Sequence, residues 1–100
     1  MREDRQRLDK WLWFARFAKT RSLAAKLIAS GFVRVNGQRA ESAAKAVAVG
    51  DVITIALQRT TMVVRVAELG IRRGPAPEAR LLYVDVERDD GALVSPNGSG

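Results

Sequence analysis

The run RLDKWLWFARFAKTRSLAAKLIASGFVRVNGQR, residues 7–39, changes its hydrophobic period partway along, and the rest of the chain is read from that change. Leu8, Trp11, Leu12, Ala15 and Ala18 recur at helical spacing and form one apolar stripe. Asp9 falls in the first turn, where a negative charge suits the helix dipole. Lys19-Thr20-Arg21-Ser22 breaks the pattern, and Thr20 or Ser22 can cap the next helix by accepting from its free first-turn amides. Leu23, Ala24, Leu27 and Ile28 are the expected buried face of that second helix, and Gly31 is placed to end it in a left-handed conformation. The period then drops to two. Val33 and Val35 share one face of a strand, Phe32 and Arg34 the other, and Asn36-Gly37 turns the chain into a return strand at Gln38 and Arg39.

Working outward, residues 1–6 read as a charged, frayed leader. Glu41–Val49 is alanine-rich and reads as a loop or a weak helical turn. Gly50-Asp51 marks a turn into a strand with Ile53, Ile55 and Leu57 on one face. Gln58-Arg59-Thr60 turns the chain again, and Met62, Val64 and Val66 share a face of the next strand. Gly70–Pro77 reads as a surface linker. Glu78–Tyr83 is compatible with a helical turn and Tyr83–Val86 with a sheet strand. Residues 88–100 are polar and glycine-rich, with no periodicity, and read as a disordered tail. The expected fold class is α/β of the α+β type, with two helices packed on a small, mainly antiparallel, twisted sheet. The expected organisation is a tail at 1–6, a folded domain at 7–69, a linker and packing segment at 70–87, and a tail at 88–100.

Charge is distributed unequally. Residues 1–40 carry ten basic and three acidic side chains, whereas residues 41–100 carry seven and eight, so the net +6 arises wholly in the first forty residues. A one-sided basic unit is the footprint of a polyanion binder. The chain has no cysteine and no histidine, which removes disulfides, cysteine-based metal sites and the commonest general base. Asp51, Glu68, Glu78 and Asp85 are scattered, with no glycine-rich phosphate loop beside them, so no active site, cofactor or metal site is expected. The longest apolar run is far short of a bilayer span, and a cytoplasmic location is expected, with no membrane partner.

The pieces RLDKWL, AR, KTRS and LI-x-x-G-x-V-x-VNGQR resemble the alpha-L RNA-binding motif of the S-four domain, and the likeness continues more loosely through Val49-Gly50-Asp51-Val52-Ile53. Trp11-Leu12-Trp13, Lys19-Thr20-Arg21, Pro75-Ala76-Pro77-Glu78-Ala79 and Leu81-Leu82-Tyr83 are similar to the ribosome-associated fifteen-kilodalton heat-shock family within it. That resemblance implies a non-catalytic RNA binder on the large ribosomal subunit, preferring stalled subunits that still carry a nascent chain on tRNA and helping to recycle them. It also implies ribosomal RNA and nascent-chain tRNA as partners. Weak DNA binding and a monomeric state complete the expectation. The family usually continues into a basic C-terminal extension, whereas Asp85, Glu87, Asp89 and Asp90 precede a neutral end here.

The expected RNA contacts fall in three groups. Lys19, Thr20, Arg21, Ser22 and Lys26 lie at the start and on the outer face of the second helix, where free amides already attract phosphate. Arg7, Lys10 and Arg16 flank the first helix; the resemblance makes Arg7 and Arg16 phosphate contacts, with an ion pair to Asp9 or a carbonyl contact as the rival role for Arg16. Arg34, Asn36, Gly37, Gln38 and Arg39 lie on the hairpin, able to follow a backbone or meet a base edge. Trp13, Phe17 and Phe32 are read as packing groups, with base stacking as the rival. Two other roles fit the same residues: the RNA-targeting module of a pseudouridine synthase or methyltransferase, and a related ribosome quality-control factor.

Overall fold

The computed structural model describes residues 4–86. In chain order these form β1 (Gln6–Arg7), α1 (Leu8–Phe14), α2 (Arg21–Ala29), β2 (Val33–Val35), β3 (Gln38–Arg39), β4 (Ala46–Val47), β5 (Val52–Ala56) and β6 (Thr61–Val66). A one-turn helix α3 (Ala76–Ala79), a 3-10 turn (Arg80–Leu82) and β7 (Tyr83–Asp85) follow. Five strands make one antiparallel sheet in the order β3-β2-β5-β6-β7, and β1 pairs separately with β4. The expected α+β class is what forms.

Directly paired residues share a face of the sheet. Val35, Ile53 and Val64 make one such row, and Val33, Ile55 and Met62 the next. This face is covered by α1 and α2, whose Leu8, Trp11, Leu12, Ala24 and Ile28 are buried with it in one core. Removing each large side chain from water contributes about 1.5–3 kcal/mol, so a core this small depends on a few positions. Trp11 is the largest of them, fully buried, and its indole Nε1 donates to the Glu68 carbonyl at 3.0 Å.

Both helices end in the same way. In α2, Gly31 adopts φ +86°, its amide donates to the Ile28 carbonyl, and the Phe32 amide donates to the Leu27 carbonyl. These two bonds satisfy carbonyls that the helix leaves open. In α1 the left-handed residue is Arg16, at φ +67°, with the Arg16 amide on the Trp13 carbonyl and the Phe17 amide on the Leu12 carbonyl. A non-glycine residue is costly in that conformation, so Arg16 is held there by more than the turn. As a result α1 stops at Phe14, and the stripe residues Ala15 and Ala18 are buried beyond it.

Three sequence expectations are corrected, and the loop reading of Glu41–Val49 is extended by a short strand. Leu23, expected on the buried face of α2, is 43% exposed, because the face turned to the core is narrow and holds only Ala24 and Ile28 fully. Gln6, expected to fray, pairs with Val47, and its side chain both donates to and accepts from the Gly70 backbone at 2.8 and 3.0 Å. The Glu41–Val49 stretch is a loop that also supplies β4, and its Lys45 and Ala43 carbonyls accept from the Leu8 and Asp9 amides at the start of α1. It thereby does for α1 what no side chain does, since Arg7 provides no capping bond. The linker at Gly70–Pro77 is not merely superficial: Gly70 and Gly74 are buried. The two readings of the segment after Pro77 both hold in succession, α3 and the 3-10 turn first, then β7 paired to β6. The tail read at 88–100 lies outside the described residues.

Candidate nucleic-acid interface

Thr20 is the cap of α2: its Oγ1 accepts from the Leu23 amide at 3.0 Å, while Ser22 sits exposed in the first turn. With the hydroxyl so used, the α2 amides are presented between Lys19, Thr20 and Arg21, all exposed. Lys26 lies one turn further along the outer face. The nine residues of α2 rise about 13 Å, so cations stand along its length.

Asp9 organises the cations at this end. Its side chain is only 6% exposed, and Arg7 grips it with Nε on Oδ1 at 3.1 Å and Nη2 on Oδ2 at 3.0 Å. Arg21 Nη2 approaches the same oxygen at 3.6 Å from α2. Burial pushes the Asp9 carboxyl up, but the Arg7 hydrogen bond, the charges of Arg7 and Arg21 and a backbone bond from Lys10 together hold it below the ordinary range. The same partnership raises the Arg7 guanidinium. Because the folded value lies below the unfolded one of about 3.9, the stabilisation is fully present above that pH and is lost as pH falls through the lower folded value. Asp9→Asn is expected to cost about 1 kcal/mol near neutral pH and to flatten the loss of stability below about pH 4, read by urea denaturation at several pH values. An unchanged acid limb in the variant would mean that another carboxylate controls it.

Arg16 is exposed and makes the carbonyl contact named as its rival role. Its Nε donates to the Gly74 carbonyl at 2.8 Å, which ties the end of α1 to the 70–77 segment, and Asp9 is left to Arg7 and Arg21. Arg73 repeats the device in reverse, donating from Nε to the Trp13 carbonyl at 3.2 Å with its guanidinium 5.9 Å from the Trp13 ring. Lys10 is half-buried, its ammonium 5.7 Å from the centre of the Phe14 ring. Trp13 stacks on Phe14, and Phe17 meets Tyr83 at 4.7 Å, so packing describes these two. Phe32 is different: it is 49% exposed.

On the hairpin, Asn36 and Gly37 adopt φ +52° and +84°, as a two-residue turn between twisted strands requires. Asn36 Oδ1 accepts from the Val52 amide at 2.9 Å and its Nδ2 donates to Asp51 at 3.3 Å, so this side chain braces the turn against β5. Arg34 reaches the Gly37 carbonyl only at 3.4 Å, and Gln38 is exposed. Arg34 and Arg39 stand directly opposite each other across β2 and β3. Like charges so placed are destabilising, and an anion between them would relieve the repulsion. The Arg39 guanidinium lies about 3.1 Å from where a Cβ on Gly31 would project, which links the hairpin to the end of α2.

Arg65 was not singled out by sequence. The register pairs it with Val52 and Val84, on the sheet face that also carries Arg34 and Arg39, and it is exposed. The signal was present in the alternation of Met62, Val64 and Val66, which assigns Arg65 to the outer face.

Two helices ending in matched turns, a tight hairpin and a sheet closing behind them, with cations along one helix and the hairpin, define a chain of the S-four class. The S4 domain family model matches residues 6–53. The chain belongs to the heat shock protein 15 family. It is 45% identical to the heat shock protein 15 homolog of Haemophilus influenzae, over 99% of this chain and 79% of that protein. It is 46% identical to heat shock protein 15 of Escherichia coli K12, over 77% of this chain and 57% of that protein, so it spans little more than half the length of that relative. A trimeric structure of the Vibrio cholerae heat shock protein 15 superposes with a TM-score of 0.79 at 41% identity, covering 85% of each chain. The small ribosomal subunit protein uS4 of Xanthobacter autotrophicus is 36% identical over 70% of this chain and 35% of its own length.

Proposed function

We propose that this chain is a non-catalytic RNA-binding protein of the ribosome, which recognises large subunits stalled with peptidyl-tRNA and helps to recycle them under stress. The observation that carries RNA binding is the exposed set Lys19, Arg21, Lys26, Arg34 and Arg39 on an S-four fold whose nearby acid, Asp9, is buried and neutralised. Cations held along a helix and a hairpin neutralise phosphates and release counterions, and recognition rests on shape more than on base sequence. Within this reading Lys19, Arg21, Ser22, Lys26, Arg34, Gln38 and Arg39 touch RNA directly. Thr20, Asn36 and Gly37 shape the surface, and Arg7, Lys10 and Arg16 hold the first helix in place behind it.

The family membership supports the ribosome as the target, and the domain reading of 7–69 with 70–87 packed on it belongs to the same proposal. Gradient sedimentation with free large subunits, large subunits carrying peptidyl-tRNA, and small subunits tests it. Preferential co-migration with the loaded large subunit is expected. Equal binding to all three, abolished by moderate salt, would reduce the chain to a general RNA binder. Preference for small subunits would favour the likeness to uS4 instead. The relative from Vibrio cholerae is described as a trimer; sedimentation of the free protein tests the monomer expected here. No described helix is long and apolar enough to cross a membrane, and the cytoplasmic location remains part of the proposal.

A further inference from the structure

Beside the cations of α2 lies an apolar recess of about 520 Å³. Phe17, Leu23, Leu27 and Phe32 form its walls, and Lys19 and Lys26 stand among its lining residues. Leu23 and Phe32 are large apolar groups left 43% and 49% exposed. Each is fixed from behind. Leu23, Lys26, Leu27 and Ser30 share one face of α2 by spacing. Phe32 is seated by the turn that ends that helix, with its amide on the Leu27 carbonyl. Phe17 is backed by Tyr83 and Trp11. A second recess, about 430 Å³, is lined by the same Leu27 and Phe32 together with Ala56, Leu57 and Gln58. Phe32 is therefore a wall shared by two hollows, and among the described residues no acidic one lines either.

We infer that this recess receives one unpaired nucleobase of the bound RNA, stacked on the Phe32 ring, with its flanking phosphates on Lys19 and Lys26. The volume lies within the roughly 300–1,000 Å³ usual for small-ligand clefts. An aromatic wall with cations beside it is the arrangement that holds unpaired bases, and it is sequence-tolerant because every base has a π-face. Ser30 is the only uncharged polar side chain among the described residues that line the larger recess, so the site reads the presence of an unpaired base more than its identity. Charge decides the occupant. A wall carrying Lys19 and Lys26, with no acid among the described residues that line it, suits a group that arrives with phosphates on both sides better than an uncharged apolar surface. The inference rests on the RNA-binding reading above and deepens it.

The test uses the full chain and two RNA hairpins, one fully paired and one identical except for a single bulged 2-aminopurine. Wild-type protein is expected to bind the bulged hairpin about tenfold more tightly than the paired one and to quench the 2-aminopurine as it stacks. Phe32→Ala should remove both the preference and the quenching while binding the paired hairpin as before. Phe32→Leu keeps the apolar contact with Leu27 and lacks the ring, so it should behave as Phe32→Ala does and separates stacking from any disturbance of the turn. Equal binding of the two hairpins with no quenching overturns the site but leaves RNA binding standing. Binding of neither hairpin at low salt overturns both. A free protein that sediments as an oligomer and dissociates on Phe32→Ala would assign the recess to a second copy of the chain and overturn the inference.

Discussion

Replacing Arg21, Arg34 and Arg39 together with alanine is expected to lower RNA affinity about 100-fold near 0.15 M salt and to reduce the slope of log K against log salt by about 2–3. The estimate follows from counterion release. Each phosphate contact adds about 0.7–0.9 to the slope, which at that salt is about fivefold in affinity, and three contacts multiply to the stated loss. The choice of residues follows from their surroundings. Arg34 and Arg39 face each other across the hairpin with no carboxylate partner among the described residues, and Arg21 is 43% exposed while its carboxylate partner keeps the closer grip of Arg7. Arg16 is left out because its Nε is committed to the Gly74 carbonyl. Stability should change by no more than about 0.5 kcal/mol per site, as at most exposed positions. Arg72→Ala is the control: this arginine on the 70–77 segment is paired with Glu78 of α3 and should leave the slope alone. The readings are fluorescence anisotropy on a labelled RNA across a salt series and a urea melt of each variant. A loss of affinity with an unchanged slope would mean that the three arginines act through the fold and do not neutralise phosphate.

Much of this surface was legible in the sequence because it is built from local signals. Gly31 and Asn36-Gly37 declare positive φ by residue type, Thr20 or Ser22 offers a cap, which Thr20 provides, and Val33, Arg34 and Val35 alternate. The structure bears out all four. What escaped was non-local. Arg16 occupies the same left-handed position at the end of α1 that Gly31 occupies at the end of α2, but arginine carries no turn signal, and its reason for being there is a carbonyl 58 residues away. Gln6 sits in a charged stretch without periodicity, and its two bonds to Gly70 cross most of the chain. Leu23 was misread because periodicity finds an apolar stripe without saying how much of it the partner covers. The same ambiguity concealed Phe32, whose exposure is set by the geometry of a helix end. The assignment of Arg7 and Arg21 to one buried carboxylate likewise needed the packing of α1 against α2, which spacing alone does not supply.

Gly70→Ala is expected to destabilise the protein by about 2–4 kcal/mol, lowering the melting temperature by roughly 10–20 °C, although the substitution adds a single methyl group. A Cβ at this position would lie 2.4 Å from Phe14 Cδ2 and 2.7 Å from Phe14 Cβ. The second distance matters more. Phe14 Cβ is fixed to the backbone of α1, so rotating the ring does not relieve the overlap, and the helix or the 70–77 segment has to shift. Either movement strains the Gln6 bonds to the Gly70 amide and carbonyl, the Arg16 bond to Gly74 and the Arg73 bond to Trp13. Gly37→Ala provides the contrast, since that glycine has open space around it but adopts φ +84°; its cost is conformational, about 1 kcal/mol. The cause is separable by a double-mutant cycle with Phe14→Gly, which removes the ring and the Cβ together. If the clash is responsible, truncating Phe14 should cost at least 1 kcal/mol less in the Gly70→Ala background than in wild type. Additive costs would place the damage in the backbone of the 70–77 segment itself. RNA affinity measured where the variant is still folded should stay near wild type. Gly70 packs on Phe14, whereas the exposed cations lie along α2 and the hairpin, so a folded Gly70→Ala protein with weakened RNA binding would show that the position of α1 sets the geometry of that surface.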